Sequence, residues 1–256
     1  MFDWNETLEK DGLELFPNAI EEVDLPEYRS KLDDVLQQYS TAQASKGLEH
    51  LTNGAIHHLP VFDRDFLRLL EISSINDAIR GWFGGNFLVN SFGGVVNSPG
   101  SASYVHEIHR DTRYYCADHR LFINLLVALD DFTLENGATL LLPKQHAKST
   151  KPNTDDFEHY ANPILISAGD ALLFDSNLWH RAGVNLSSGI RRCVTITFSR
   201  PWIKPQFQYA VLCAGNPEAC TPDLLQLLGY NARTPSSIEE WLKPASERFY
   251  KSGQDL

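Results

Sequence analysis

The sequence predicts a mainly β protein with flanking helices, and three features of its 256 residues lead there. From about Asn86 the chain breaks into short runs of β-branched and aromatic residues punctuated by Gly, Asn, Asp and Pro, the texture of an antiparallel core. Before and after that stretch, apolar residues recur at helical spacing behind cap and proline signals. The composition, 43% hydrophobic and 21% charged, is that of an ordered globular chain and excludes a disordered one.

Taken in order, residues 1–82 read as a mainly helical flank. In DLPEYRSKLDDVLQQYS, Asp24 can cap a helix, Pro26 suits its first turn, and Leu32, Val35, Leu36 and Tyr39 share one face. A second helix is expected after Asp63, using Phe66, Leu67, Leu70 and Ile79, with TNGAIHHLP between the two as loop and short strand. Residues 86–200 form the β core. Its candidate strands are FLVNSF, SYVHEIHR, LFINLLVAL, ATLLLP, NPILIS, ALLFD and RCVTITFSR, with turns at Glu135-Asn136-Gly137 and Ala168-Gly169-Asp170. Strands in this number over roughly a hundred residues suggest a sandwich or jelly roll. Residues 201–256 return to loop and helix; Thr221-Pro222 and Thr234-Pro235 offer caps followed by proline, and Gly229 can end the first of these helices. No repeat or linker separates these parts, so residues 1–256 are expected to form a single domain.

The formal charge of −11 argues against a nucleic-acid partner, because phosphate binding needs a basic surface. The acidic start, MFDWNETLEKDGLELF, has neither the positive nor the apolar region of a signal peptide, and no apolar run reaches the roughly 18 residues of a membrane span. Cys116, Cys193, Cys213 and Cys220 show no CxxC spacing, so neither a structural zinc site nor a disulfide framework is expected. A reducing, cytoplasmic location with a small-molecule partner follows as the expectation.

The chemistry concentrates in SYVHEIHRDTRYY, residues 103–115. On a strand, His109 and Asp111 would share a face about 7 Å apart. Two ligands bind a metal weakly, and a His-x-Asp pair arises easily by chance. His109-Arg110-Asp111 also matches the start of a protein-kinase catalytic loop, but Cys116 stands where that loop needs Asn and no GxGxxG precedes it. The metal reading gains from a second segment, GDALLFDSNLWHRAGVNLSSGIRRCVTITFSR, in which His180 lies between strands and two arginines follow. Two histidines and a carboxylate on one face of an octahedron leave three positions open, as in non-haem Fe(II) oxygenases. Strand parity sets Arg191 with Cys193, Thr195 and Thr197, and Arg192 with Val194, Ile196 and Phe198, without choosing between the two arginines.

Together these motifs resemble the phytanoyl-CoA dioxygenase family of Fe(II)/2-oxoglutarate-dependent oxygenases. The likeness rests on His109-Arg110-Asp111, Glu135-Asn136-Gly137, Pro143-Lys144-Gln145-His146, Trp179-His180 with Gly183 and Asn185, and Arg191, eleven residues past His180. Lys10-Asp11-Gly12-Leu13 resembles the family's first strand, and LLGYNARTPSSIEEW the tail of many bacterial members. The resemblance implies a double-stranded β-helix (jelly roll, cupin-like) core. It implies Fe(II), 2-oxoglutarate and O2 as metal and co-substrates, His109, Asp111 and His180 as the catalytic metal ligands, and Arg191 as the residue gripping the distal carboxylate of 2-oxoglutarate. The implied reaction oxidises an unactivated C–H bond, usually by hydroxylation, releasing succinate and CO2. Related halogenases leave the carboxylate position to chloride, so Asp111 points to hydroxylation, desaturation or cyclisation. Arg181-Ala182 after His180, and Leu125-Leu126 before the Glu135 turn, depart from the Gly-Ser and aromatic residue of many relatives.

The remaining candidates read as structural. His106 is expected on the opposite face from His109, His57 and His58 in a loop or core, His119 and His146 near turns, and Trp179 in packing; Asn97, Tyr104 and Tyr115 are candidates for the cavity wall. Two rivals stand beside the oxygenase. A cupin-like metal enzyme not using 2-oxoglutarate would form no succinate and tolerate loss of Arg191, whereas a non-catalytic jelly-roll binding protein would take up no stoichiometric Fe(II). No basic patch suited to the phosphates of CoA is evident, which favours a small metabolite as substrate.

Overall fold

The computed structural model describes residues 8–48, 52–112, 115–116, 119–244 and 247. The acidic start at residues 1–7, on which the signal-peptide expectation partly rests, lies outside them. Nine strands form two antiparallel sheets among the described residues. They are β1 (Leu13–Phe16), β2 (Ala55–His57), β3 (Leu88–Asn97), β4 (Phe122–Ala128), β5 (Leu140–Leu141), β6 (Asn162–Pro163), β7 (Ala171–Asp175), β8 (His180–Arg181) and β9 (Arg191–Ser199). The large sheet runs β1-β7-β4-β9-β3-β2 and the small one β6-β5-β8, the two layers of a jelly roll.

Strand alternation divides the core. On β9, Val194, Ile196 and Phe198 face outward to join Phe92, Leu125 and Val127 under the helices, contributing to one cluster with Leu32, Val35, Phe66, Leu70, Ile79 and Phe83. Leu126, Leu141, Leu172, Phe174 and Cys193 pack in a second cluster between the sheets. Strand β4 is apolar on both faces because it is covered on both. The outward Arg192 is held by Asp33 of the helix Leu25–Ala44, at 2.8 Å from each guanidinium nitrogen, and by Asp130 at 3.0 Å.

Several local expectations are corrected. Asp24 makes no side-chain cap, since the chain enters the helix directly from a short 3-10 turn, Glu22–Asp24. The single helix expected after Asp63 is instead a 3-10 segment, Arg64–Glu71, capped by Asp63, and then a helix, Ser73–Phe83. SYVHEIHR is not a strand: Tyr104–His106 is a 3-10 turn, and only His109 makes a bridge. Thr221 caps the helix Pro222–Leu227 as expected, but Ser237 rather than Thr234 caps the next, Ile238–Trp241. Cys213 and Cys220, expected to be reduced, form a disulfide closing a short loop.

The turn at Gly137 is where the two sheets' loops meet. Gly137 has φ +78, and a Cβ there would strike the Gly183 carbonyl and sit 2.7 Å from Asn97 Nδ2. Asn97 Nδ2 donates to Gly183 O at 3.0 Å, and Asn185 Nδ2 donates to Asn97 O at 2.7 Å. Gly137→Ala is therefore expected to lower unfolding free energy by roughly 2–4 kcal/mol. Gly81→Ala, in the helix Ser73–Phe83 with open space around it, should raise it by about 0.5–1 kcal/mol. Urea titration of the two variants checks the contrast.

Candidate metal and co-substrate site

His109 and His180 are brought together by the backbone. His109 N donates to His180 O at 2.9 Å and His180 N to His109 O at 2.8 Å, and this single bridge sets the imidazole centroids 4.4 Å apart. Each ring is then oriented by its own Nδ1, which lies 2.8 Å from Glu107 O in one case and 3.0 Å from Leu178 O in the other. A carbonyl can only accept, so Nδ1 carries the proton in both rings and each Nε2 presents a lone pair. Those Nε2 atoms approach Asp111, His109 at 3.8 Å from Oδ1 and His180 at 3.7 Å from Oδ2. Both separations fall within the roughly 4 Å that two metal–ligand bonds of about 2 Å span. One ligand atom from each of the three side chains lies within 4.8 Å of the others. Burial, and then the neighbouring His109, push the His180 pKa down to about 4, leaving the neutral imidazole that metal binding requires.

Asp111 is held from behind. Asn124, buried on β4, donates to Asp111 Oδ2 at 2.6 Å, and its carbonyl accepts from Ser176 Oγ at 3.2 Å and Thr197 Oγ1 at 3.0 Å. Arg110, between the two candidate ligands, stacks over Trp179 at 4.3 Å and lies 5.2 Å from the Tyr115 ring. That anchors the loop and explains Trp179 as packing. The departures from the family pattern fall around this site: Leu125, Leu126 and Ala182 line the cavity, while Arg181 bonds Glu158 at 2.6 Å.

Arg191 lines the same cavity as the three, a space of about 250 Å³. The residue is 1% exposed, and its guanidinium lies 4.2 Å from the Phe132 ring and contacts Cys193 Sγ at 3.5 Å. Its buried Nε has no partner, and no acidic side chain pairs with it among the described residues. A buried cation costs several kcal/mol unless an anion meets it, so these surroundings fit a carboxylate. Thr139 adds a buried hydroxyl to the lining.

The other sequence candidates divide. Tyr104, His57 and His58 line the cavity, but Asn97 does not; it ties the loop at Gly137. His106 is hydrogen-bonded to Ser103 N at 3.1 Å, His146 stacks on Tyr160, and His119 is exposed. Asn124, Thr139, Thr197 and Gln206 were not singled out from the sequence. The one available signal was an asparagine inside the otherwise apolar FINLLVA.

A profile of the phytanoyl-CoA dioxygenase (PhyH) family matches residues 8–193. The uncharacterized protein Rv1501 of Mycobacterium tuberculosis is 28% identical over 251 residues, covering 95% of this chain and 92% of that protein. Dioxygenase trt7 of Aspergillus terreus is 25% identical over 252 residues, covering 91% and 85%. Among solved structures, the non-haem α-ketoglutarate-dependent carbocyclase SnoK from nogalamycin biosynthesis matches with a TM-score of 0.60 at 15% identity, covering 80% of this chain and 87% of that one. HygX from Streptomyces hygroscopicus, crystallised with nickel and 2-oxoglutarate, matches at 0.57 and 14% identity, covering 77% and 86%. At these identities the solved structures speak to the shared fold. The profile spans well over half of the sequence, and the chain belongs to the phytanoyl-CoA dioxygenase family of Fe(II)/2-oxoglutarate-dependent oxygenases.

Proposed function

We propose that this dioxygenase hydroxylates an unactivated C–H bond of a small-molecule metabolite, releasing succinate and CO2. His109, Asp111 and His180 hold Fe(II), and Arg191 grips the distal carboxylate of 2-oxoglutarate. The observation that carries this reading is the pairing, in one cavity, of a two-histidine, one-carboxylate cluster with a buried arginine that has no anionic partner. Bound there, iron with 2-oxoglutarate supplies the oxidising power of O2 for breaking a strong C–H bond. The protein's own part is positional. Carbonyls of Glu107 and Leu178 fix the imidazole tautomers, and Asn124 aims the carboxylate. A guanidinium meets a carboxylate through two parallel hydrogen bonds, which Phe132 and the surrounding apolar wall shield from water. Asp111 would take the ligand position that related halogenases leave to chloride, which favours hydroxylation over halogenation.

We read residues 1–256 as one domain in the cytoplasm within the same proposal. A single apolar cluster joins Leu8 to Leu228 across the helices and the large sheet, and no helix among the described residues is long and apolar enough to cross a membrane. The buried thiols Cys116 and Cys193 suit a reducing compartment, and the Cys213–Cys220 disulfide is the feature at odds with it.

Anaerobic titration with Fe(II) and 2-oxoglutarate should produce a weak visible metal-to-ligand charge-transfer band at one iron per chain, and His180→Ala should abolish it. A well-folded wild type without the band rules the reading out. Arg191→Met should leave Fe(II) uptake intact and the ligand-free fold no less stable, since an unpaired buried charge is removed. Its 2-oxoglutarate affinity should fall roughly 100-fold or more, the worth of two charge-assisted hydrogen bonds. Isothermal titration and thermal melts on one preparation check both halves. Asn124→Ala should weaken Fe(II) retention by roughly 10- to 100-fold, read by competition with a chromogenic chelator.

A further inference from the structure

Beyond the metal cluster the cavity has a wall that the assignments above leave unused. His57 and His58 are adjacent at the end of β2, where strand alternation would send them to opposite faces. His58, however, adopts φ 59 and ψ 44, left-handed backbone that is uncommon outside glycine and gathers at functional sites. The turn brings both imidazoles into the cavity lining. His57 lies nearly parallel to Tyr104, centroids 5.9 Å apart at 14°, with its Nε2 3.3 Å from the phenol oxygen. His58 Nδ1 is 2.9 Å from Tyr209 Oη, and its ring stacks on Phe207 at 4.8 Å. Gln206 and Ser91 line the cavity as well, and Tyr104, 44% exposed, extends from the lining into solvent.

Charge supplies the second observation. Asp111 and Arg191 are the only carboxylate and the only Lys or Arg in the lining among the described residues. Burial holds His57 and His58 below the ordinary imidazole range, His57 adding to the effect on His58. With the carboxylate on the metal and the guanidinium on the co-substrate, the rest of the wall offers neutral hydrogen-bonding groups and ring faces. A carboxylate or phosphate brought there would lose its water without gaining a counter-charge.

Resting on the oxygenase reading, we propose that the primary substrate is an electrically neutral, ring-bearing compound with hydroxyl or carbonyl oxygens. It stacks against the His57–Tyr104 pair, hydrogen-bonding to the imidazole Nε2 and the phenol of that pair, and makes further hydrogen bonds to His58 and Gln206. Carboxylic acids and CoA thioesters are expected to bind more weakly than the neutral compounds.

The full chain, loaded anaerobically with Fe(II) and 2-oxoglutarate, is the material for the test, so that the charge-transfer band reports the site beneath the proposal independently. The probes are matched pairs: a hydroxytetralone with the corresponding tetralone carboxylic acid, and methyl hydroxycyclohexanecarboxylate with its free acid; benzoyl-CoA represents the thioesters. Neutral members should bind at least about tenfold more tightly than their charged partners, a difference below the several kcal/mol of an unpaired buried charge. Benzoyl-CoA should not compete. His57→Phe and Tyr104→Phe keep the rings and should keep the band and the melting temperature, while affinity for the neutral probes falls roughly three- to tenfold, the worth of one hydrogen bond. If the band forms but charged members bind equally well, or no neutral probe binds, or both phenylalanine variants bind as wild type, the substrate assignment is overturned. If the band never forms, the oxygenase reading fails and takes this proposal with it.

Discussion

Two backbone hydrogen bonds between His109 and His180 hold the candidate site in register. One partner belongs to β8 of the small sheet, and the other to a loop without strand neighbours of its own. The bridge does what a strand would otherwise do, at the cost of ordering only a few residues. Because the same bridge faces the two rings toward Asp111, the loop's conformation and the arrangement of the three side chains are one constraint. Asn124 closes it from the other sheet, reaching Asp111 from the middle of β4 while β9 supplies Thr197 to the same network. Three strands and one loop thus converge on a single carboxylate.

Adjacent arginines at the start of β9 illustrate how one strand serves both stability and chemistry. Arg192 faces the helices and is neutralised by Asp33 and Asp130; it joins the helical layer to the sheet. Arg191 faces inward, is fully buried, and meets an aromatic ring and a thiol rather than a carboxylate. Those partners leave its charge uncompensated, so the fold carries a cost at that point that an anion in the cavity would relieve. A residue selected for packing alone would be apolar there.

What could be read from the sequence follows from how local each signal is. The long strands β3, β4 and β9 announce themselves by β-branched residues and β7 by a short apolar run, and the parity of β9 correctly separates Arg191 from Arg192. The grouping of His109, Asp111 and His180 was legible only through the family resemblance, since the spacing of His109 and Asp111 alone does not call for His180. The supposed strand around His109 was not, since alternation in SYVHEIHR is equally satisfied by a 3-10 turn followed by one bridge. Strands of two residues such as β5, β6 and β8 exist only because other strands pair with them, and no propensity marks their ends. Asn124, Thr139 and Gln206 were invisible for a related reason: Asn124 matters through Asp111 and Thr197, and Thr139 and Gln206 through the cavity they line, and only the fold brings these together.

The cavity's polarity can then be understood as a division of labour. Among the described residues its full charges are Asp111, beside the two histidines, and Arg191, and the rest of the lining is neutral. The cavity gathers groups that are costly to the fold on their own: two imidazoles with centroids 4.4 Å apart, a buried guanidinium with no acidic partner among the described residues, and a left-handed histidine. The surrounding apolar clusters, on both faces of β4 and β9, supply the stability that lets these groups persist. Ligands that bind only the folded chain add to that stability by mass action. On the proposed reading, metal and dicarboxylate would each compensate a distinct part of that cost, at the imidazole pair and at the guanidinium, and would leave the neutral wall to discriminate among substrates by shape and hydrogen bonding.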